Sequence, residues 1–366
     1  MKPRRTTQQD IAAHLGVHVT TVSMALRRHP SLPPATIERV KAAAGELGYR
    51  PDPALSALMD YRRNVTSGSS GWTLAYLTSW PERDAWRKHP PHMRFYEGAS
   101  RRAEELGYQF EHVWLRESGL SPFRRRQILH ARNYAGWILA PLPVGRGHLR
   151  LNWDEVCAVK IDSSMVWPPL HGVGNNQIQI MRLAIRQAVH RGYRHMGFAS
   201  RRTNNERVDR LWTAAYLDEV ERLGFTPKIP AHLPAQLERR EFLKWFWQWK
   251  PDLVLSQDHR LPEWLESDGA RIPDEVGFIN LDLQAAQETQ TGVRQQHEAV
   301  GGAAANLLDL LIRHNERGIP AISQLTLLEG HWAEGGTIRP LSSQSSRSSA
   351  LVSRPRKSRS LKPKNP

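Results

Sequence analysis

The stretch HLGVHVTTVSMAL, residues 14–26, sets a glycine between two short apolar patterns and then lines up Thr20, Thr21, Ser23 and Met24. The residues before it define a first helix. Thr7 with Asp10 three residues later is a capping box in which Asp takes the place of Glu, and Ile11 and Leu15 then fall on one helical face. Gly16 ends that helix and Val17 lies in the turn. A second helix, from about Val19 to Arg27, buries Val22, Ala25 and Leu26 and leaves Thr20, Thr21 and Met24 facing out. A third helix from Pro34 to about Leu47 carries Ile37, Val40, Ala44 and Leu47 at spacings of three and four, opens on proline and stops at Gly48. Helix, glycine turn and second helix with short polar side chains outward is the helix-turn-helix pattern, whose second helix enters the DNA major groove. Hydroxyls suit that place because they bond phosphates or base edges, and a methionine packs on a thymine methyl. A small helical bundle with no DNA partner remains the alternative.

Next comes YRPDPALSALMDYRR, residues 49–63. Asp52 and Pro53 form an N-cap and first-turn pair, and Ala54 to Met59 supply about two helical turns, too few to be stable alone in water. Two such helices from a dimer would meet on the minor groove and wedge a leucine between base steps. The alternative is a linker that packs its leucines on the core.

These residues resemble a known family. DIAAHLGVHVTTVSMALRRHPSLPPATIERVKAAAGELGYRPDPALSAL is similar to the DNA-binding head and hinge of the lactose/galactose repressor (LacI/GalR) family of bacterial transcription regulators, with DIA, GV, TTVS, RV, ELGY and P at matching spacings. The resemblance implies that Val19, Thr20 and Met24 read bases, that His18, Thr21 and Ser23 flank them near phosphates, and that Leu58 is the minor-groove lever. Thr7 and Arg27 complete the expected DNA-binding set. Three positions depart from the family: Met24 replaces a longer polar or basic side chain, and His18 and Pro33 replace capping residues.

After the Ser/Gly stretch NVTSGSSG the period changes. WTLAYLT, QFEHVWL, AGWILAPL, CAVKI, HMGFAS, PDLVLS and VGFINLD read as strands. RFYEGASRRAEELGY, PFRRRQILHA, QIMRLAIRQAVHRGY, RVDRLWTAAYLDEVERLGF, LPEWLESDG and EAVGGAAANLLDLLIRHNERG read as helices between and after them. Such alternation predicts parallel sheets covered on both faces, here as two βαβ sets in series forming two lobes with a cleft between them. The expected class is therefore α/β, a three-helix helix-turn-helix head on a two-lobed core of parallel sheets. RGYRHMGFAS, PDLVLSQD and IPDEVGFINLD resemble the family's regulatory domain, which is like a periplasmic sugar-binding protein, so the likeness runs from about residue 5 to 340. The organisation expected is a head over 1–50, a hinge helix over 51–63, a linker over 64–71, a two-lobed effector-binding and dimerisation domain over 72–340, and a basic tail over 341–366.

Open parallel sheets bind ligands beyond the carboxyl ends of their strands. The polar residues there are Ser79, Trp80, Ser200, Arg201, Asp258 and Asp282, with Arg207 close by. Carboxylates accept sugar hydroxyls, arginine donates two bonds, and a tryptophan face packs a pyranose. Each is equally at home as a loop cap, so the expectation attaches to the set. By resemblance Asp258 and Asp282 match acidic effector positions. Asp209, three residues before Trp212, stands where the family places an arginine, which moves that clamp to Arg207 or removes it, and Asn176 stands where aspartate is frequent.

Composition narrows the rest. The 366 residues carry a net charge of +15, of which the first 63 hold ten Lys/Arg against five Asp/Glu and residues 341–366 hold seven against none. The basic character belongs to the ends, where a polyanionic partner would bind. The tail is of low complexity and reads as disordered. The lone Cys157 sits in an apolar run and reads as a packed, inert thiol. No apolar stretch reaches the roughly 18 residues of a membrane span, and polar residues follow the basic N-terminus where a signal peptide turns apolar, so a cytoplasmic protein is expected. HPPH at 89–92 reads as a loop and not a metal site, GRGH at 145–148 is not a phosphate loop, and no G-x-S-x-G occurs, so neither catalysis nor a cofactor is expected. The WFWQW cluster at 245–249 reads as helix packing. The reading is a homodimeric regulator, by family default a repressor, that grips a pseudo-palindromic operator in double-stranded DNA and answers to a small effector, a sugar or derivative. The alternative is a sugar-binding or sugar-processing protein whose head mediates protein contacts.

Overall fold

The computed structural model describes residues 6–26, 31–49, 72–116, 129, 132, 134–226 and 228–341. Arg27, Leu58, the hinge helix, the linker, helix PFRRRQILHA apart from Leu129, and the tail beyond Leu341 lie outside the described residues.

The head is three helices, α1 (Gln8–Leu15), α2 (Val19–Leu26) and α3 (Pro34–Glu46). The capping box forms as the sequence predicts: the Asp10 main-chain N–H donates to Thr7 Oγ1 (3.3 Å) and the Thr7 N–H donates to Asp10 Oδ2 (2.7 Å). Gly16 closes α1 in the left-handed region at φ 62°, where any Cβ carries strain. Pro34 opens α3 with no side-chain cap from Pro33. Ile11, Ala12, Val22, Ala25, Val40, Ala43 and Ala44 form one buried cluster, so three helices too short to persist alone share a core. Thr6 Oγ1 donates to the Leu47 carbonyl (2.8 Å) and Gln8 Nε2 to Tyr49 Oη (3.1 Å), tying the start of the module to its end.

The chain divides into two compact units: Met1–Asn176 with Glu206–Asp209 and Gln296–Leu328, and Gln177–Asn205 with Arg210–Gln295 and Glu329–Pro366. Beyond the head, the first unit holds a six-stranded parallel sheet of β1 (Thr73–Thr78), β2 (Gln109–Trp114), β3 (Gly136–Leu139), β5 (Cys157–Ile161), β7 (His171–Asn175) and β12 (Leu325–Leu328), in the order β12-β7-β5-β3-β1-β2. Beside it β4 (Gly147–His148) pairs with β6 (Met165–Trp167). One face of the sheet is covered by α4 (Pro90–Glu105) and the late helix α10 (His297–His314), whose Val300, Ala304, Ala305 and Leu308 meet Leu74, Tyr76, Phe95, Ile138 and Val159. The helices touch through small residues: a Cβ on Gly98 would stand 1.9 Å from the Glu298 carbonyl oxygen and one on Gly301 2.1 Å from that of Phe95. The opposite face buries Ala75, Leu77, Trp137, Leu139, Ala158 and Trp153. Cys157 is buried on β5, and burial pushes its thiol up to about 11, as an inert packed thiol requires.

The second unit holds β8 (Met196–Phe198), β9 (Leu253–Ser256), β10 (Gly277–Asn280) and β11 (Gly292–Arg294) in parallel, with β13 (His331–Ala333) antiparallel at the β11 edge. Its helices are α5 (Gln177–His190), α7 (Leu211–Arg222), α8 (Arg239–Trp249) and α9 (Leu261–Glu266). On α8, Phe242, Leu243, Trp245 and Phe246 are buried against Val254 and Phe278, so most of the aromatic cluster is packing, while Trp247 stays 43% exposed.

Three expectations are corrected. The βαβ sets do not run in simple series, because α10 and β12 return to the first unit; β12 pairs with β7 at an edge left open by the earlier strands. The helix read from Arg207 is two helices, α6 (Arg202–Arg207) and α7, since Asp209 and Arg210 are both left-handed (φ 57° and 59°) and cannot continue a right-handed helix. The HPPH segment is not a loop: His89 is the N-cap of α4 and its two prolines occupy the first turn, where a missing N–H costs nothing.

Candidate DNA and effector sites

Helix α2 is the candidate reading element. His18 is exposed in front of it, and Thr21 N–H donates to the His18 carbonyl (2.9 Å). The imidazole caps the start of the helix: Thr20 N–H donates to His18 Nδ1 (3.4 Å), and Thr20 Oγ1 lies 2.7 Å from the same nitrogen. Thr20 is exposed, and Met24, one helical turn on, is half-buried on the same side. Thr21 and Ser23 are half-buried beside them. Val19, expected to read a base, packs partly against the head core, and the Thr7 hydroxyl is engaged in the α1 cap.

In the first unit the chain runs from β1 out to β2 and back across to β3, so the crevice that such sheets offer ligands lies at the carboxyl ends of β1 and β3. Ser79 and Trp80 follow β1 directly. Trp80 is buried, its carbonyl accepting from Trp114 Nε1–H (2.8 Å), with His89 4.7 Å and His92 5.0 Å from its ring centroid. Arg207 Nη1 donates to His92 Nε2 (3.3 Å), so the sequence-predicted arginine reaches this edge. Burial, with the charge of Arg207 second, holds the His92 imidazole well below its usual value, hence neutral. A guanidinium only donates, so His92 Nε2 accepts and Nδ1 carries the hydrogen. That N–H and the Trp80 indole N–H are both buried without a partner among the described residues. Asp162, at the end of β5, accepts from Ser164 N–H (2.6 Å); burial raises its carboxyl, with Arg207 opposing. Asp209, in the place of the family's arginine, pairs with Arg146. His92 and Asp162 were not picked out from the sequence. The signal available was their position, the first turn of a helix after β1 and the residue after a strand.

In the second unit residues near His232 bridge to Ala199, so β8 lies between that segment and β9, and the corresponding crevice falls at Ser200, Arg201 and Asp258. Ser200 is fully buried and its hydroxyl donates to the Arg201 carbonyl (3.1 Å). The Asp258 carboxylate is clamped by Arg260, Nε to Oδ1 at 2.9 Å and Nη2 to Oδ2 at 2.6 Å. Burial pushes its carboxyl up, but the Arg260 bonds outweigh that and hold it below the ordinary value. Asp282 accepts from Gln284 Nε2 (2.9 Å) in the loop after β10. The two aspartates expected to hold sugar hydroxyls are thus already bonded within their own loops. Among the described residues no cluster of three or more His, Cys, Asp and Glu could hold a metal, and no helix is long and apolar enough to cross a membrane.

Residues 7–52 match the family described as bacterial regulatory proteins, lacI family, and residues 185–337 match the periplasmic binding protein-like domain. The match to the lacI family thus falls on the head, and the match to the periplasmic binding protein-like domain falls on the later part of the core. The head is 45% identical over 49 residues to the maltose regulon regulatory protein MalI of Vibrio furnissii; that stretch is 13% of this chain and spans only 36% of the relative. The lac repressor dimer bound to operator and the anti-inducer ONPF is similar in fold, with a TM-score of 0.56 at 16% identity, covering 92% of this chain and all of the repressor chain. So is the transcriptional regulator CelR in complex with cellobiose, with a TM-score of 0.57 at 20% identity, covering 91% of this chain and all of that one. At these identities the likeness establishes the fold alone.

Proposed function

We propose that this protein is a lacI-family regulator, a homodimeric transcription repressor whose heads bind a pseudo-palindromic operator and whose affinity for DNA is set by a small effector, a sugar or sugar derivative. The observation that carries the reading is the side of α2 that presents exposed Thr20, with half-buried Met24 beside it, on a head with its own core. That surface fits the major groove, and two copies related by a twofold axis fit two half-sites one helical turn apart. His18, Val19, Thr21, Ser23 and Thr7 surround it, and Arg27 and the Leu58 lever extend it in the proposal. The candidate effector contacts are at the strand ends of each unit taken by itself: Ser79, Trp80 and Arg207 in the first, and Ser200, Arg201, Asp258 and Asp282 in the second. It acts by binding one state of the protein more tightly than another, shifting the population that holds DNA. No catalytic step is assigned. The protein works in the cytoplasm, where its DNA is.

Selection from a randomised duplex pool with the full-length chain tests this. A palindrome is expected to be enriched, and its binding should weaken steeply with salt as phosphate contacts release counterions. Enrichment of no sequence would leave the rival, a sugar-binding protein whose head mediates protein contacts. The relatives bound to operator and to cellobiose support the choice of DNA and sugar as first probes.

A further inference from the structure

Two outward side chains at the front of α2 are bonded to each other, and the pattern of those bonds fixes where the hydrogens lie. The Thr20 main-chain N–H donates to His18 Nδ1 at 3.4 Å, so Nδ1 carries a lone pair and no hydrogen, and the neutral ring is the Nε2–H tautomer. Thr20 Oγ1 is 2.7 Å from that same nitrogen. With none on Nδ1, the hydrogen between them belongs to the threonine hydroxyl.

We infer that His18 holds the Thr20 hydroxyl as a donor to itself, leaving Thr20 to present only lone pairs to DNA, and that His18 thereby makes Thr20 select a base bearing an exocyclic amino group. The inference rests on α2 being the element in the major groove. A free threonine hydroxyl donates or accepts and is compatible with every base edge. Once its hydrogen is committed to His18, it matches adenine N6 or cytosine N4, which donate, and opposes guanine O6 and N7 or thymine O4, which accept. A keto base facing Thr20 would bring oxygen lone pairs together with no hydrogen between them. Half-buried Met24 adds no donor to this side of the helix. His18 touches no base in this account: it is a positioning residue that acts through Thr20 while also capping the helix.

The test is selection from a pool randomised across the half-site, using the full chain in wild-type form and with His18→Ala, His18→Asn, Thr20→Val and the double change. Wild type is expected to prefer adenine or cytosine over guanine or thymine on one strand at one position of each half-site, by about fivefold, as one net hydrogen bond gives. His18→Ala should reduce that ratio to below about twofold while other positions keep theirs. Loss of the cap alone would weaken all sequences together and leave the ratio untouched. His18→Asn, whose Oδ1 accepts the same two hydrogens and whose residue type is a favoured N-cap, should restore the preference. Thr20→Val should abolish it, and adding His18→Ala to Thr20→Val should change it no further. A keto base preferred by wild type at that position, or a preference that survives His18→Ala, overturns the proposal alone. Wild type that enriches no palindrome overturns the DNA-binding reading and this proposal with it.

Discussion

The two sheets offer ligands the same kind of edge, but the chemistry at the two edges is opposite. After β9 and β10 in the second unit the two carboxylates are already bonded, Asp258 by Arg260 and Asp282 by Gln284, and the buried acceptor left without a partner among the described residues is the Gln257 side-chain oxygen. After β1 in the first unit, the His92 and Trp80 N–H groups are buried with no partner among the described residues. A buried unpaired donor costs about 1–3 kcal/mol, which any acceptor placed beside it recovers. A carboxylate held on both oxygens by an adjacent arginine keeps only its remaining lone pairs for a ligand, with part of its charge already neutralised. The first unit's edge should therefore select an acceptor on the ligand, and Asp258 should contribute little to discrimination.

The largest effect expected is on the first unit's scaffold. Gly301→Ala would put a methyl into the Phe95 carbonyl, which belongs to helix backbone and cannot rotate away, so about 3 kcal/mol or more should be lost. Urea unfolding measures it, and a loss below about 1 kcal/mol would mean that α4 and α10 separate easily and that the β1 edge is not rigidly placed. Next, His92→Ala should weaken the first sugar found by thermal-shift screening by ten- to a hundredfold, roughly one or two lost bonds, whereas Asp258→Asn should change it by less than about threefold. Calorimetry that reversed this order would put the discriminating contacts in the second unit. Smaller still is a dependence on pH. Burial holds His92 well below its usual range and brings His112 down to about 4, so the unfolded chain takes up these protons first. Stability is then complete above about pH 6.5 and falls as pH drops toward 4. His112→Gln should flatten that fall in a melting-temperature series, and an unchanged slope would remove His112 from the account. Smallest is Thr7→Ala in the head, about 1 kcal/mol, read from the head's own unfolding transition.

The head was legible in the sequence because its determinants are local. Thr7 and Asp10, Gly16 and Pro34 each act within one helical turn, and the apolar spacings of α1 to α3 match the observed core. The buried strands were legible as apolar runs. What escaped is what depends on distant chain. β7, HGVGN, has two glycines and no apolar alternation; its neighbour β12 supplies Leu325 and Leu327 against those glycines from 150 residues away. His92 was hidden because two prolines before it read as a break, although they open a helix. At the effector edges position was predicted better than partnership: Asp258 and Asp282 fall just past strand ends, but Arg260 and Gln284, which occupy them, are two residues along and carry no pattern of their own.

The return of α10 and β12 to the first unit has a consequence for synthesis. At 5–20 residues per second, the roughly 150 residues between β7 and β12 take on the order of ten seconds to emerge. Throughout that interval the nascent sheet lacks both its last strand and the helix that shields Leu74, Ile138 and Val159. An uncovered apolar surface and an unpaired edge strand are what chaperones recognise and what neighbouring nascent chains adhere to. A ribosome stalled anywhere after Asn175 and before His297 would hold out such a surface.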